Sequence, residues 1–180
     1  GRMDDWLKFP DAQLGTGDDW FRLLGFKFWA DGSNQGNTGY QREPYLNVDH
    51  RGILSFPAED LAAGVKRVHD AGWQVAIHAN GDAAIDLVLE CYAKALAGKP
   101  RGDHRHRIEH CSIAWDEHFA KMAELGLSPS FLIGHVHYWG RAFRDRIFGL
   151  AKASRLDATA SALKAGVRFS LHSDYDVTEI

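Results

Sequence analysis

Apolar residues recur along this chain in two rhythms, every second position and every third or fourth, and the two take turns. Three times a helical rhythm closes on a glycine and a strand rhythm follows at once: HDAG then WQVAIH, AELG then LSPSFL, LKAG then VRFSLHSD. Glycine best tolerates left-handed backbone just past a helix end, so each junction reads as helix, C-cap and strand. Leu61, Val65 and Val68 mark the helix before Gly72; Ile85, Leu89, Tyr92 and Leu96 mark the next, with Asp82 placed to cap it. Adding LLGFKFWA near 23–30 and HRIEHC near 106–111 gives five strands alternating with helices, the pattern of an α/β fold with a parallel sheet.

Parity within the strands separates two faces. Trp73, Val75 and Ile77 oppose Gln74, Ala76 and His78; Leu127, Pro129 and Phe131 oppose Ser128 and Ser130; Val167, Phe169 and Leu171 oppose Arg168, Ser170, His172 and Asp174. A closed barrel accounts for this, its apolar positions meeting outer helices while small or polar ones fill the interior. HRIEH fits less well, because Arg107 and Glu109 then fall on the helix side. One stretch breaks the rhythm: residues 32–57, rich in Gly, Asn and aromatics, form a loop long enough to be functional or mobile.

Composition narrows the function. With 45% apolar and 25% charged residues, the 180 residues read as one globular domain, 1–180. A net charge of -3 gives no attraction for a phosphate backbone, and no apolar run reaches membrane-spanning length, so neither nucleic acid nor bilayer is an expected partner. Cys91 and Cys111 make no disulfide framework and no secretory signal precedes them, which fits a cytoplasmic protein. The chain opens on Gly1 and reads as cut from something longer.

The polar residues at strand ends carry the chemistry. His78 stands where an apolar strand ends, as do His110, Asp174 and, less clearly, the KFWAD segment; in parallel barrels, ligands gather at that end. Lys27 lies between Phe26, Phe28 and Trp29, so its ammonium either snorkels outward or has had its charge altered. His78 or His110 alone reads equally as a buried structural histidine. Together with Asp174 they form a donor set suited to zinc, manganese or iron.

Four motifs in order, FKFWADGS, IHANGDAAID, RHRIEHCS and LHSDYDV, resemble the later motifs of the amidohydrolase superfamily, in particular amidohydrolase family 3, with N-substituted formamide deformylase-like members. The resemblance implies a partial TIM-type (β/α)8 barrel with about strands 4 to 8 present and strands 1 to 3 missing. It implies a metal-dependent hydrolase of C–N bonds outside peptides, acting on a small amide-like substrate. Lys27 would be a lysine carboxylated by carbon dioxide that bridges one or two divalent ions, zinc foremost; His78, His110 and Asp174 would be further ligands, and Asp174 also the proton acceptor. In the loop, Asp31, Gln35 and Tyr40, with Tyr45, would contact substrate, as would His135. The family's first His-x-His pair is absent, so weak or no turnover is expected from this chain alone, and a homodimer or a missing N-terminal half would complete it. His135 and His137 repeat that spacing but follow the SPSFL strand, so joint metal ligation is not expected of them. Asn37 and Asp176 depart from the family pattern. His104 and His106 read as core or surface residues. A noncatalytic barrel fragment needing a partner half is the alternative.

Overall fold

The computed structural model describes residues 14–175 together with Asp5, Leu7, Lys8 and Val177; Asp176 lies outside the described residues. Its sheet has five parallel strands, β1 (Gly25–Trp29), β2 (Gln74–Ala79), β3 (Arg107–His110), β4 (Ser128–Phe131) and β5 (Ser170–Leu171), side by side in chain order. Helices α1 (Ala58–Asp70), α2 (Asp82–Gly98) and α3 (Asp116–Leu125) alternate with the first four strands. Between β4 and β5 run α4 (Gly134–Ala142), a π turn over Phe143–Ile147, α5 (Leu150–Ala153) and α6 (Thr159–Lys164). When strand order follows chain order, right-handed crossovers place successive helices on one face, as in a barrel wall. Accordingly α1 packs on β2 and α2, and α3 packs on α2 and α6. The sector of a barrel expected from the motifs is the fold observed.

The glycine caps are where the patterning puts them. Gly72, Gly126 and Gly166 have φ of +90°, +69° and +72°, and the Gly126 N–H returns to the Ala123 and Met122 carbonyls to close α3. Asp82 differs from expectation. It is the first residue of α2, whose N-cap is Gly81, and its carboxylate also accepts the Arg42 N–H at 2.8 Å and meets Lys152 at 2.9 Å. β5 is shorter than its pattern, because β4 offers it only Ser130 and Phe131 as register partners.

Val75, Ile77 and Ala79 of β2 are wholly buried against Val65, Val68, Ile85, Val88 and Tyr92 of the two flanking helices. Each large apolar side chain so buried contributes roughly 1.5–3 kcal/mol before conformational entropy is counted. On the other face, register aligns Lys27, Ala76, Arg107 and Ser128 in one row, and Trp29, His78, Glu109, Ser130 and Ser170 in the next. Arg107 and Glu109 therefore belong to the polar face, not the helix side, and they pair there at 2.7 Å. That face carries no helix among the described residues, so Lys27 is exposed and Trp29 is 50% exposed. At its N-terminal end it lines a cavity of about 910 Å³ beside Gln74, Arg107, Ser128 and Arg168. A second small core, Tyr45, Ile113, Phe143, Ile147 and Leu156, sits between the long loop and the segment after α4.

Candidate metal centre

Register aligns His110 with Ala79 and Phe131, two positions facing the helices, so a regular strand would point its ring away from the interior. The backbone corrects this. His110 has φ of +67°, and the Cys111 N–H bonds to the Glu109 carbonyl at 2.9 Å across it, a γ-turn with a positive central φ. Cys111 follows at φ +50°. Two consecutive non-glycine residues in the left-handed region store strain of the kind found at functional sites. The turn brings the His110 ring edge to face with His78, centroids 4.6 Å apart, and against His172 at 5.1 Å.

His78 ends β2 with its side chain 14% exposed. Its Nε2 lies 3.0 Å from the Gly32 carbonyl, 3.4 Å from Asp31 Oδ1 and 3.1 Å from Asn80 Nδ2. Asn80 Nδ2 also donates to the Gly32 carbonyl at 2.9 Å, which fixes its amide, and its Oδ1 accepts the Ser112 hydroxyl at 2.6 Å. Asp31 is the hub of this arrangement. Its fully buried carboxylate accepts the backbone N–H groups of Tyr40 and Gly81 at 2.8 Å and of Asn80 at 3.0 Å. A β-carbon on Gly81 would lie 1.9 Å from the Tyr40 carbonyl oxygen, so only glycine lets the loop approach this closely. Asp31 thus holds the loop to β2 rather than facing a substrate.

The remaining expected residues divide by position. Lys27 lies on the polar face with its ammonium 5.8 Å from the Trp29 ring centroid, snorkelling rather than buried, and its charge acts on both His110 and His172. His135, at the start of α4, is 3% exposed, and its Nε2 meets Gln35 Nε2 at 3.3 Å; these two loop partners are brought together. His137 points elsewhere, exposed beside Tyr138, as two residues on a helix must. Asp174, at φ +52°, acts electrostatically on His135 and His172. Tyr40 contributes its backbone to the Asp31 hub and its hydroxyl to Arg51, while Tyr45 is buried in the second core.

Burial decides the protonation of these rings. It holds His110 down to about 2, helped by the charges of His78, His172, Lys27 and His135. It lowers His135 to about 4 against the pull of Asp174, and lowers His172 as well. Neutral imidazoles with free lone pairs are what a cation requires. Nδ1 of His110, Nδ1 of His135 and Nε2 of His172 are each buried without a partner, which fits nitrogen ligands or substrate contacts. Among the described residues no three His, Cys, Asp or Glu side chains converge on one point. His172 was not singled out from sequence; its parity with Ser170 and Asp174 was the signal.

Comparison with known proteins identifies the family and the fold. The model of the Amidohydrolase family matches residues 2–180. Protein LONG AFTER FAR-RED 3 of Arabidopsis thaliana is 34% identical over 179 residues, 97% of this chain and 31% of that protein. N-substituted formamide deformylase of Arthrobacter pascens is 35% identical over 116 residues, 64% of this chain and 21% of that protein. An uncharacterized metal-dependent hydrolase from Pyrococcus furiosus superposes with a TM-score of 0.81 at 21% identity, covering 99% of this chain and 35% of that one. The chain spans about a third or less of the length of these relatives.

Proposed function

The chain belongs to the amidohydrolase family, and on that premise we propose that it supplies part of the catalytic wall of a metal-dependent hydrolase of C–N bonds outside peptides, with an amide or formamide as substrate. The observation that carries this reading is the convergence of His78 and His110 at adjacent strand ends, with Lys27 acting on His110. The bond class rests on the likeness to N-substituted formamide deformylase.

In this reading Lys27, carboxylated by carbon dioxide, would hold a divalent cation, zinc foremost, together with His78 and His110. When bound, the cation would supply Lewis acidity and a water acidic enough to attack a carbonyl near neutral pH. Asp174 accepts the proton of the attacking water and returns it to the leaving amine nitrogen. His135 and Gln35 hold the substrate, their buried unpartnered Nδ1 and Oε1 atoms being free for its polar groups. Among the described residues no helix is long and apolar enough to cross a membrane, and free buried Cys91 and Cys111 suit a reducing cytoplasm. Zinc titration monitored by elemental analysis after gel filtration tests the centre. Stoichiometric zinc that is lost in Lys27→Ala supports it; a chain that retains no zinc with all three residues intact removes it.

A second reading has its own observation. Among the described residues β1 and β5 each pair with a strand on one side only, and Trp29 on the polar face is half exposed, so in this second reading the chain would work only beside a second copy or an N-terminal half that closes the barrel. Size measured against concentration tests this, because a monomer at every concentration excludes self-completion.

A further inference from the structure

We propose that residues 17–22 form an arm that seats Trp20 and Phe21 in the arginine-lined cavity of a second copy of this chain, two copies exchanging arms about a twofold axis. The contact lies at the end of the sheet opposite His78 and His110 and does not depend on the metal-centre reading.

The arm is an ordered hairpin. The Gly15 N–H bonds the Leu23 carbonyl and the Leu23 N–H bonds the Thr16 carbonyl, both at 2.8 Å, and Gly17 bridges Arg22 in antiparallel fashion. Asp18 closes the turn: its N–H donates to the Phe21 carbonyl at 2.8 Å, and its carboxylate accepts the N–H groups of Trp20 and Phe21 at 2.8 and 3.0 Å. A β-carbon on Gly17 would lie 1.8 Å from the Phe21 carbonyl oxygen, so the turn closes only with glycine there. This fixed backbone holds Trp20 96% exposed and Phe21 67% exposed. An aromatic ring already positioned in water loses little freedom on binding, and tryptophan is enriched among the residues that dominate interfaces.

Charge and place name the occupant. Leu14, Gly15 and Leu24, at the root of the arm, line the cavity of about 910 Å³, whereas residues 17–22 do not, so the arm leads away from its own cavity. The lining carries Arg101, Arg105, Arg107 and Arg168 against Asp103. Arg105 and Arg107 pair with Asp103 and Glu109, and Arg101 donates to the Trp73 carbonyl, but Arg168 stands exposed on the cavity wall. The tip brings the complement, Asp18 and Asp19 beside the two rings, with Arg22 behind them. Carboxylates then meet arginines, and the rings lie on guanidinium faces, where cation–π attraction adds to burial. A twofold exchange uses each arm and each cavity once. Four inserted aromatics bury roughly 600–1,000 Å², and the cavity walls they cover carry the total past the ~1,000 Å² of a specific interface.

Sedimentation velocity on the full chain between about 1 and 200 µM tests the proposal. The expected result is a monomer–dimer equilibrium that weakens with added salt. Trp20→Ala is expected to weaken it by about 30-fold or more with the melting temperature unchanged, since the ring is bare in the monomer. Asp19→Arg or Arg168→Asp alone should weaken it several-fold, and the two combined should recover most of the loss; a combined variant no better than either single one overturns the proposal. A dimer that survives Trp20→Ala also overturns it and assigns association to the open strand edges of the second reading above. A monomer at every concentration overturns both, and one whose cavity amide resonances move with inorganic phosphate gives the cavity to a small anion instead.

Discussion

His69 and His106 meet through their ring nitrogens, Nδ1 to Nε2, at 2.9 Å, at the end of the sheet opposite His78 and His110. His106 Nδ1 accepts the Val75 N–H at 3.0 Å and its Nε2–H is given to His69, which donates in turn to the Lys99 carbonyl at 2.6 Å. His104 accepts the His106 N–H and donates to the Leu125 carbonyl. Every nitrogen is in use with the rings neutral, so an added proton has no place.

Acid should therefore unfold the protein from this end. Burial, then His104, His69 and Arg101, hold His106 down to about 2, below the 6.5 of an unfolded histidine. The unfolded chain takes up the proton first, so this stability is complete above pH 6.5 and is lost as pH falls, by about 1.4 kcal/mol per pH unit. Urea midpoints at pH 7.5 and 5.5 should differ accordingly, and the slope should flatten in His106→Gln. Equal slopes would mean that the cluster opens to water at no cost.

Asp157 should act with the opposite sign. Its carboxylate is buried, both oxygens lack a partner among the described residues, and burial raises it to about 8 from the usual 3.8. Stability from this group is present below pH 4 and declines as pH rises to 8. Asp157→Asn should gain about 1–3 kcal/mol at pH 8 and almost nothing at pH 4, as melting temperatures across that range would reveal.

The turn at His110 makes a third expectation. At φ +67° alanine retains the strain and glycine does not, so His110→Gly should be more stable than His110→Ala by about 1 kcal/mol. Denaturant melts compare the two, and equal stabilities would show that the turn relaxes once the ring is gone.

Chemistry is tested at Asp174. If the completed assembly hydrolyses the proposed N-substituted formamide, Asp174→Asn should lower kcat by about 100- to 10,000-fold with KM little changed, while its melting temperature stays within a few degrees. Retained turnover would take Asp174 out of the proton transfer.

The strand and helix order was legible because each element carries its own period and each helix end its own glycine, and Gly72, Gly126 and Gly166 all adopt positive φ. Parity found the two faces except at β3, where it failed for a physical reason: His110 reaches the interior by a backbone turn, not by alternation. With that turn known, Arg107 and Glu109 fall onto the polar face with no exception left to explain. α4 was missed because GHVHYWGRA has a glycine at each end of a short aromatic run and no clean apolar stripe. Nothing in DGSNQG marks a carboxylate that will accept three distant N–H groups, so the sequence does not distinguish that structural role of Asp31 from a substrate contact. Those partners at 40, 80 and 81 meet only in three dimensions.

The Gly32 carbonyl belongs both to the loop that carries Gln35 and to the ring environment of His78. Were a substrate held at Gln35 and His135 and a cation at His78, as proposed, both would bear on one loop. By linkage any such influence would run both ways and by the same factor, and the loop would then be a strut between the two sites, its stiffness setting how strongly each is felt by the other.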